Sequence, residues 1–272
     1  MRMTKRDYAN TIANAVNGEV KEVTKTNGIV QTGIQVPIDG SVAPVVYIDD
    51  AYENETPVEE VVEYINSIIE RSKGMELNLD VMDYNIIKSN ICLRLLNASN
   101  AENYEVYESA EKYGFDDLII VPYVSNIIEN GYERVVPSML EAWGKTTEEV
   151  IEKGFENTYH KVAKLEEILI EITGVTPEEM ELMGMTSPFY CVQDRYNQQF
   201  GAVAVIKARE QLNEMFTSGY YVIPSSVHEV LILPADFPES EEVLNGIVND
   251  VNTDVLAPTD YLSDHVYKFN VA

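Results

Sequence analysis

Short apolar runs alternate along this chain with explicit helix-start signals, and that alternation confines it to a mixed α and β fold. The pairs Thr56 and Glu59, Thr146 and Glu149, and Thr176 and Glu179 each set a capping hydroxyl three residues before a carboxylate. That spacing lets hydroxyl and carboxylate satisfy the free N–H groups of a first helical turn from both sides. Pro57 and Pro177 suit the first helical position. After Thr56, the residues Val58, Val61, Val62, Ile65, Ile68 and Ile69 mark one apolar face at helical period. Further helices are expected over 4–16, with Tyr8, Ile12 and Val16 on one stripe, and over Val81–Asn97, with Ile86, Ile87, Ile91, Leu95 and Leu96 inward. Others are expected over Val136–Trp143, stopped by Gly144, from Thr146 to about Tyr159, and over Val162–Thr173, stopped by Gly174. A helix reaching Phe216 with Gly219 as its left-handed cap, and one capped by Ser240 and carrying Val243, Leu244, Ile247, Val248 and Val251, complete the set.

Strands are expected at Val20–Thr24 and Ile29–Val36, joined by the hairpin residues Thr26-Asn27-Gly28, and at Ala43–Ile48. Leu118–Tyr123 reads as a buried strand closed by Pro122. Tyr190–Gln193 and Phe200–Val205 read as a hairpin around Asn197-Gln198-Gln199. Tyr220–Ile223, Val227–Leu233 and His265–Phe269 follow. The expected architecture is α+β: two closely packed mixed α/β lobes, 1–120 and 121–272, dividing near 115–125. Chain order in the C-terminal lobe reads ββαββαβ.

Charge narrows function more than fold. Against 46 Asp and Glu stand 19 Lys and Arg, leaving the 272 residues at −27. A field of that sign repels phosphate backbones and anionic lipid, so direct nucleic-acid or membrane binding is not expected. Part of the acid is local: Glu59, Glu60, Glu148, Glu149, Glu178, Glu179, Glu241 and Glu242 fall in expected first turns, where they complement the helix dipole. They account for a minority of the excess. Seven acids lie between Asp49 and Glu63 (Asp49, Asp50, Glu53, Glu55, Glu59, Glu60 and Glu63) with no base among them. From Asp236 to the end, eight acids face Lys268 alone. A solvated, colloidally stable surface is the plain explanation. The sharper one is a non-enzymatic binding protein whose spaced carboxylates engage a basic protein partner, as a mimic of nucleic acid or its antagonist.

Ser225, Ser226, His228 and Glu229 form the best chemical constellation and the alternative function: an enzyme or small-ligand site at a strand junction. Alternation along a regular strand would set His228 and Glu229 on opposite faces, so they would not pair. The plain explanation is a turn fixed by serine and a hydrogen-bonded histidine. His160, His228 and His265 show no zinc-binding spacing, and Cys92 and Cys191 read as free buried thiols, Cys92 within a helical run. Asp49-Asp50 and Asp116-Asp117 flank strands, where capping explains such pairs. Gly144-Lys145-Thr146 ends like a phosphate loop, but Met139 stands where that pattern needs glycine. No nucleophile elbow or dinucleotide turn occurs, so neither catalytic residues nor a metal site is assigned and the cofactor is unknown. The basic start is interrupted by Asp7, Asn10 and Asn14, which gives no export signal, and a cytoplasmic location is expected.

Val42-Ala43-Pro44-Val45-Val46-Tyr47-Ile48-Asp49, Gly201-Ala202, Tyr221 through Pro234 and Ser263-Asp264-His265-Val266-Tyr267 together resemble the family of domain of unknown function 5688, found in Firmicutes and their mobile elements. Pro224–Pro234 is the most specific segment, and the resemblance spans nearly the whole chain. It implies no activity, cofactor or catalytic residue. A mobile-element setting adds one version of the binding reading, an antagonist of a host nucleic-acid-binding protein.

Overall fold

The computed structural model describes residues 2–37, 43–73, 79–127, 131–182, 184 and 187–271. The chain forms two compact units, Met1–Asp80 with Asn126–Gly131, and Val81–Ser125 with Tyr132–Ala272. Residue 120 therefore falls inside the second unit, within a strand, and the division lies at Asp80 and Val81 instead of near 120.

In the first unit, helix α1 (Lys5–Ala15) is followed by strands β1 (Glu19–Thr24), β2 (Val30–Gln35) and β3 (Val45–Tyr47), then by α2 (Asp49–Glu53) and α3 (Val58–Ser72). The strands form an antiparallel sheet in the order β1-β2-β3. Asn27 and Gly28 take φ of 61° and 71° in the first connection, the left-handed backbone for which Asn and Gly are suited. Tyr8, Ile12 and Val16 of the first segment meet Ile34, Ile48, Val61 and Ile65 in one core. The capping box expected at Thr56 does not form. The Pro57 carbonyl accepts the N–H groups of Glu60 and Val61, so Pro57 is itself the cap and Thr56 lies one residue outside.

The second unit opens with α4 (Tyr84–Ile87), β4 (Ile91–Asn97), β5 (Glu108–Ser109), β6 (Leu118–Ser125) and β7 (Tyr132–Arg134). Ile91–Asn97 is thus a strand and not a helix: Ile91, Leu93 and Leu95 alternate inward with part-exposed Cys92 and Arg94 between them. The sheet is antiparallel, with β4 along one side of β6 and β5 and β7 along the other. Pro122 sits inside β6 instead of ending it. Its carbonyl accepts from Val135 N–H, and β5 pairs only to Ile120 while β7 pairs from Tyr123, so the missing donor falls in the gap between them.

Next come α5 (Pro137–Trp143), α6 (Thr147–Asn157), β8 (His160–Lys164), α7 (Leu165–Thr173) and α8 (Pro177–Leu182). The helix expected over Val162–Thr173 is shortened by β8, which pairs along β9 (Tyr190–Asp194). Then α9 (Ala204–Met215), β10 (Tyr220–Ile223), β11 (Val230–Pro234), α10 (Glu241–Asp254) and β12 (Tyr267–Phe269) complete an antiparallel sheet of order β12-β10-β11-β9-β8. Phe200–Val205, expected as a strand, instead lies in a tight helical turn over 198–203 and the start of α9, so the order after Ser187 is βαββαβ. Both sheets share a core with α9, through Leu93, Leu95, Val192, Ala208, Leu212, Tyr220 and Ile232 among others. The whole is an α+β fold.

At α6 the expected capping box is complete: Glu149 N–H donates to the Thr146 hydroxyl, and the Glu149 carboxylate accepts from Thr146 N–H at 2.9 Å. Hydrogen bonding from Lys145, then from that N–H, holds the Glu149 carboxyl below the usual range. Thr146→Ala should cost about 1 kcal/mol in urea unfolding at neutral pH. A depressed carboxylate contributes stability above its unfolded pKa and loses it as pH falls through the folded one. The deficit of Glu149→Gln relative to wild type should therefore close below pH about 4.

Candidate functional site

The Ser225–Glu229 junction lies in the connection between β10 and β11. Strand β11 begins only at Val230, so His228 and Glu229 sit in a loop and the strand alternation expected of them does not apply. Ser225 and Ser226 both donate to one Glu229 oxygen, at 3.2 and 3.0 Å. The Ser226 hydroxyl oxygen accepts from His228 N–H, and Ser226 N–H donates to the Glu229 carbonyl. This is a closed turn in which both hydroxyls are committed to a carboxylate.

The His228 ring points elsewhere. Nδ1 lies against the Gln199 carbonyl and Nε2 is 3.3 Å from Asp260. With Nδ1–H donating to that carbonyl, Nε2 can donate to Asp260 only as imidazolium. The ring is 36% exposed. The four residues therefore divide into two pairs of interactions, Ser–Glu within the turn and His228 with Asp260 and Gln199 from other segments. Neither Asp260 nor Gln199 carries a local sequence signal for this pairing, because both are brought to His228 by tertiary folding. Gly201 makes the approach feasible: a Cβ there would lie 2.5 Å from the His228 carbonyl oxygen.

A second cluster joins Asp116, Asp117 and His265, whose ligand atoms lie within 4.8 Å of one another. Asp117 is already engaged. One oxygen accepts from Tyr267 hydroxyl, and the other from Ser263 Oγ at 2.8 Å and Asn97 Nδ2 at 3.4 Å. His265 Nδ1 faces Asp264 at 3.0 Å. Asp117 is spent on tying the segment before β6 to the C-terminal segment, which is a structural use, while Asp116 stays exposed.

The acidic segment is unequal along its length. Asp49 is part-buried, contacts Lys5 Nζ and accepts Thr32 N–H at 2.9 Å. Hydrogen bonding to Asp49 raises the Lys5 ammonium above its ordinary range. Glu55 lies 3.5 Å from Arg2. Asp50, Glu53, Glu59, Glu60 and Glu63 are exposed. Of the eight first-turn glutamates, all eight occupy first turns.

Arg94 was not marked by any motif. It stands on β4, and its guanidinium carbon is 3.4 Å from the Phe200 ring centre, 3.8 Å from Tyr123 and 5.0 Å from Tyr132. The available signal was a lone base inside an apolar run, Ile91-Cys92-Leu93-Arg94-Leu95-Leu96. Burial pushes both thiols, Cys92 and Cys191, up to about 12. Among the described residues no helix is long and apolar enough to cross a membrane.

No curated protein and no solved structure matches the chain. One family model does, over residues 2–271, and it covers the tight turn at Ser225–Glu229, the His228–Asp260 contact and the Asp117 cluster alike. With nearly its entire length matched, the chain belongs to the family of unknown function DUF5688.

Proposed function

We propose that this is a binding protein whose acidic surface receives a basic protein partner, and that the outward face of α10 is the contact surface. One observation carries the choice. Leu244 and Val248 bury the inner face of α10 against Tyr221, Leu233 and Val266. Val243, Ile247 and Val251, at four-residue spacing, remain 47%, 53% and 38% exposed. The helix is more apolar than its own packing requires. Glu241, Glu242, Asp250 and Asp254 lie on the same helix, which carries no Lys or Arg. An apolar row set among carboxylates suits an amphipathic basic segment: the apolar row supplies contact area and the carboxylates supply steering and register. A second copy of this chain is a poor occupant, because it would bring like charges together.

The segment 49–63 is the weaker surface, since Asp49 and Glu55 already face Lys5 and Arg2. Affinity capture at low salt, followed by measured binding of the recovered basic protein, tests the proposal. Val243→Ser with Ile247→Ser should weaken that binding roughly tenfold or more. Asp250→Asn with Asp254→Asn should flatten its salt dependence, because exposed charge pairs are screened. A partner held equally well by both double variants sinks the assignment to α10. Loss instead on neutralising Asp50, Glu53, Glu59 and Glu60 would move the contact to the first unit.

A further inference from the structure

Arg94 presents a chemical imbalance that the proposed partner surface leaves unused. A guanidinium has five N–H donors, and stacking on aromatic faces satisfies none of them. The guanidinium lies against the Tyr123 and Phe200 rings, with Tyr132 beyond them. Nε is sealed from solvent with no acceptor. Among the described residues no carboxylate lies in ion-pair contact with Arg94, although the chain has 46 of them. The residue as a whole is part-exposed. An unpaired buried charge is costly unless a partner arrives. Burial also lowers the guanidinium below its ordinary range.

The surroundings define what could arrive. Register along β6 places Cys92 opposite Tyr123 and Arg134 opposite Tyr123, so Arg94, Tyr123 and Arg134 share one face of the sheet. Arg134 lies 5.2 Å over the Tyr104 ring, and the hydroxyls of Tyr104 and Tyr123 meet at 3.1 Å. Tyr132 hydroxyl donates to Asn197. The face thus offers two guanidinium groups, polar hydroxyl tips and aromatic rings, on a protein whose net charge is −27.

We propose that Arg94 in its aromatic cage is the anchor of a binding site for a small organic monocarboxylate. Rings crowd the guanidinium and its Nε is sealed, so a ligand must approach the Nη1/Nη2 edge, where a planar carboxylate accepts two parallel N–H bonds. A singly charged ligand suffers less repulsion from the surrounding field than a phosphate dianion would. The exposed parts of Tyr132 and Phe200 give an apolar body something to lie against.

Titration calorimetry on the intact chain, with acetate, benzoate and inorganic phosphate at fixed ionic strength, tests this. Benzoate should bind saturably and more tightly than acetate, with phosphate weakest, and benzoate should raise the melting temperature in step with its occupancy. Arg94→Met should abolish that response while melting no lower than wild type without ligand, since it removes a buried unpaired charge. Arg94→Lys, which keeps the charge but loses the planar fork, should weaken benzoate roughly tenfold. No saturable binding of either carboxylate to the wild type overturns the site. An unchanged benzoate affinity in Arg94→Lys overturns Arg94 as its anchor, and tighter binding of phosphate overturns the monocarboxylate class.

Discussion

Gly201→Ala should destabilise the protein by about 3 kcal/mol, measured by urea unfolding, because the new methyl has no room on either side. Its Cβ would lie 2.5 Å from the His228 carbonyl oxygen and 2.8 Å from the Asp194 backbone nitrogen. Neither atom is the loose end of a side chain. Asp194 is fixed by the pairing of β9 with β8 through His160. The Val227–His228 peptide just before that oxygen is held by its N–H to Ser226 and by Ala202 N–H donating to its carbonyl. Relief must therefore come from moving the 198–203 turn, which also carries Gln199 and Phe200 to His228 and Arg94. Gly246 supplies the control. It lies within α10 with nothing near its absent Cβ, so Gly246→Ala should stabilise by roughly 0.5–1 kcal/mol through helix propensity alone. A Gly201→Ala protein as stable as wild type would mean that the two backbones do not approach as described.

Where short-range chemistry decides structure, the sequence was legible. The Asn27-Gly28 turn, the boxes at Thr146 and Thr176, the Gly144 and Gly174 stops and the Ser240 cap depend on neighbours within a few residues, and all are present. The misreadings share a cause. Ile91–Asn97 and Phe200–Val205 are apolar runs too short to declare their own period, and sheet pairing with β6 or continuation into α9 settled them. Thr56 shows the limit of a motif: the spacing was right, but Pro57 took the cap. The site followed the same rule. Ser226 and Glu229 are three residues apart and bond within their turn, which sequence can suggest. His228 to Asp260, and Arg94 to Phe200, join positions far apart in the chain. Nothing local in either residue announces its partner, and only the lone charge of Arg94 in an apolar run hinted at a special environment.

Asp117→Ala should cost about 2–3 kcal/mol, because it strands one buried hydroxyl and takes an acceptor from two further donors. The carboxylate takes the Tyr267 hydroxyl on one oxygen and the Ser263 hydroxyl and Asn97 amide on the other. Ser263 is fully buried and Tyr267 is 5% exposed, so water cannot readily replace the lost acceptor. Asn97 retains a second acceptor in the Leu262 carbonyl at 3.0 Å, and the Ser263 hydroxyl lies 3.2 Å from His265 Nδ1, which leaves Tyr267 to bear most of the penalty. Burial, then the hydrogen bond to Asp117, raises the Tyr267 phenol well above its ordinary range, so it is a neutral donor at neutral pH. Tyr267→Phe separates the contact from general disruption, since it removes the stranded hydroxyl without emptying the ring's place against Phe115, 4.8 Å away. In the Asp117→Ala background that second change should recover about 1–2 kcal/mol, because it removes a stranded donor, whereas in wild type it should cost about 1–2 kcal/mol. Strictly additive losses across the four proteins would show that Asp117 stabilises the C-terminal segment by some route other than the tyrosine.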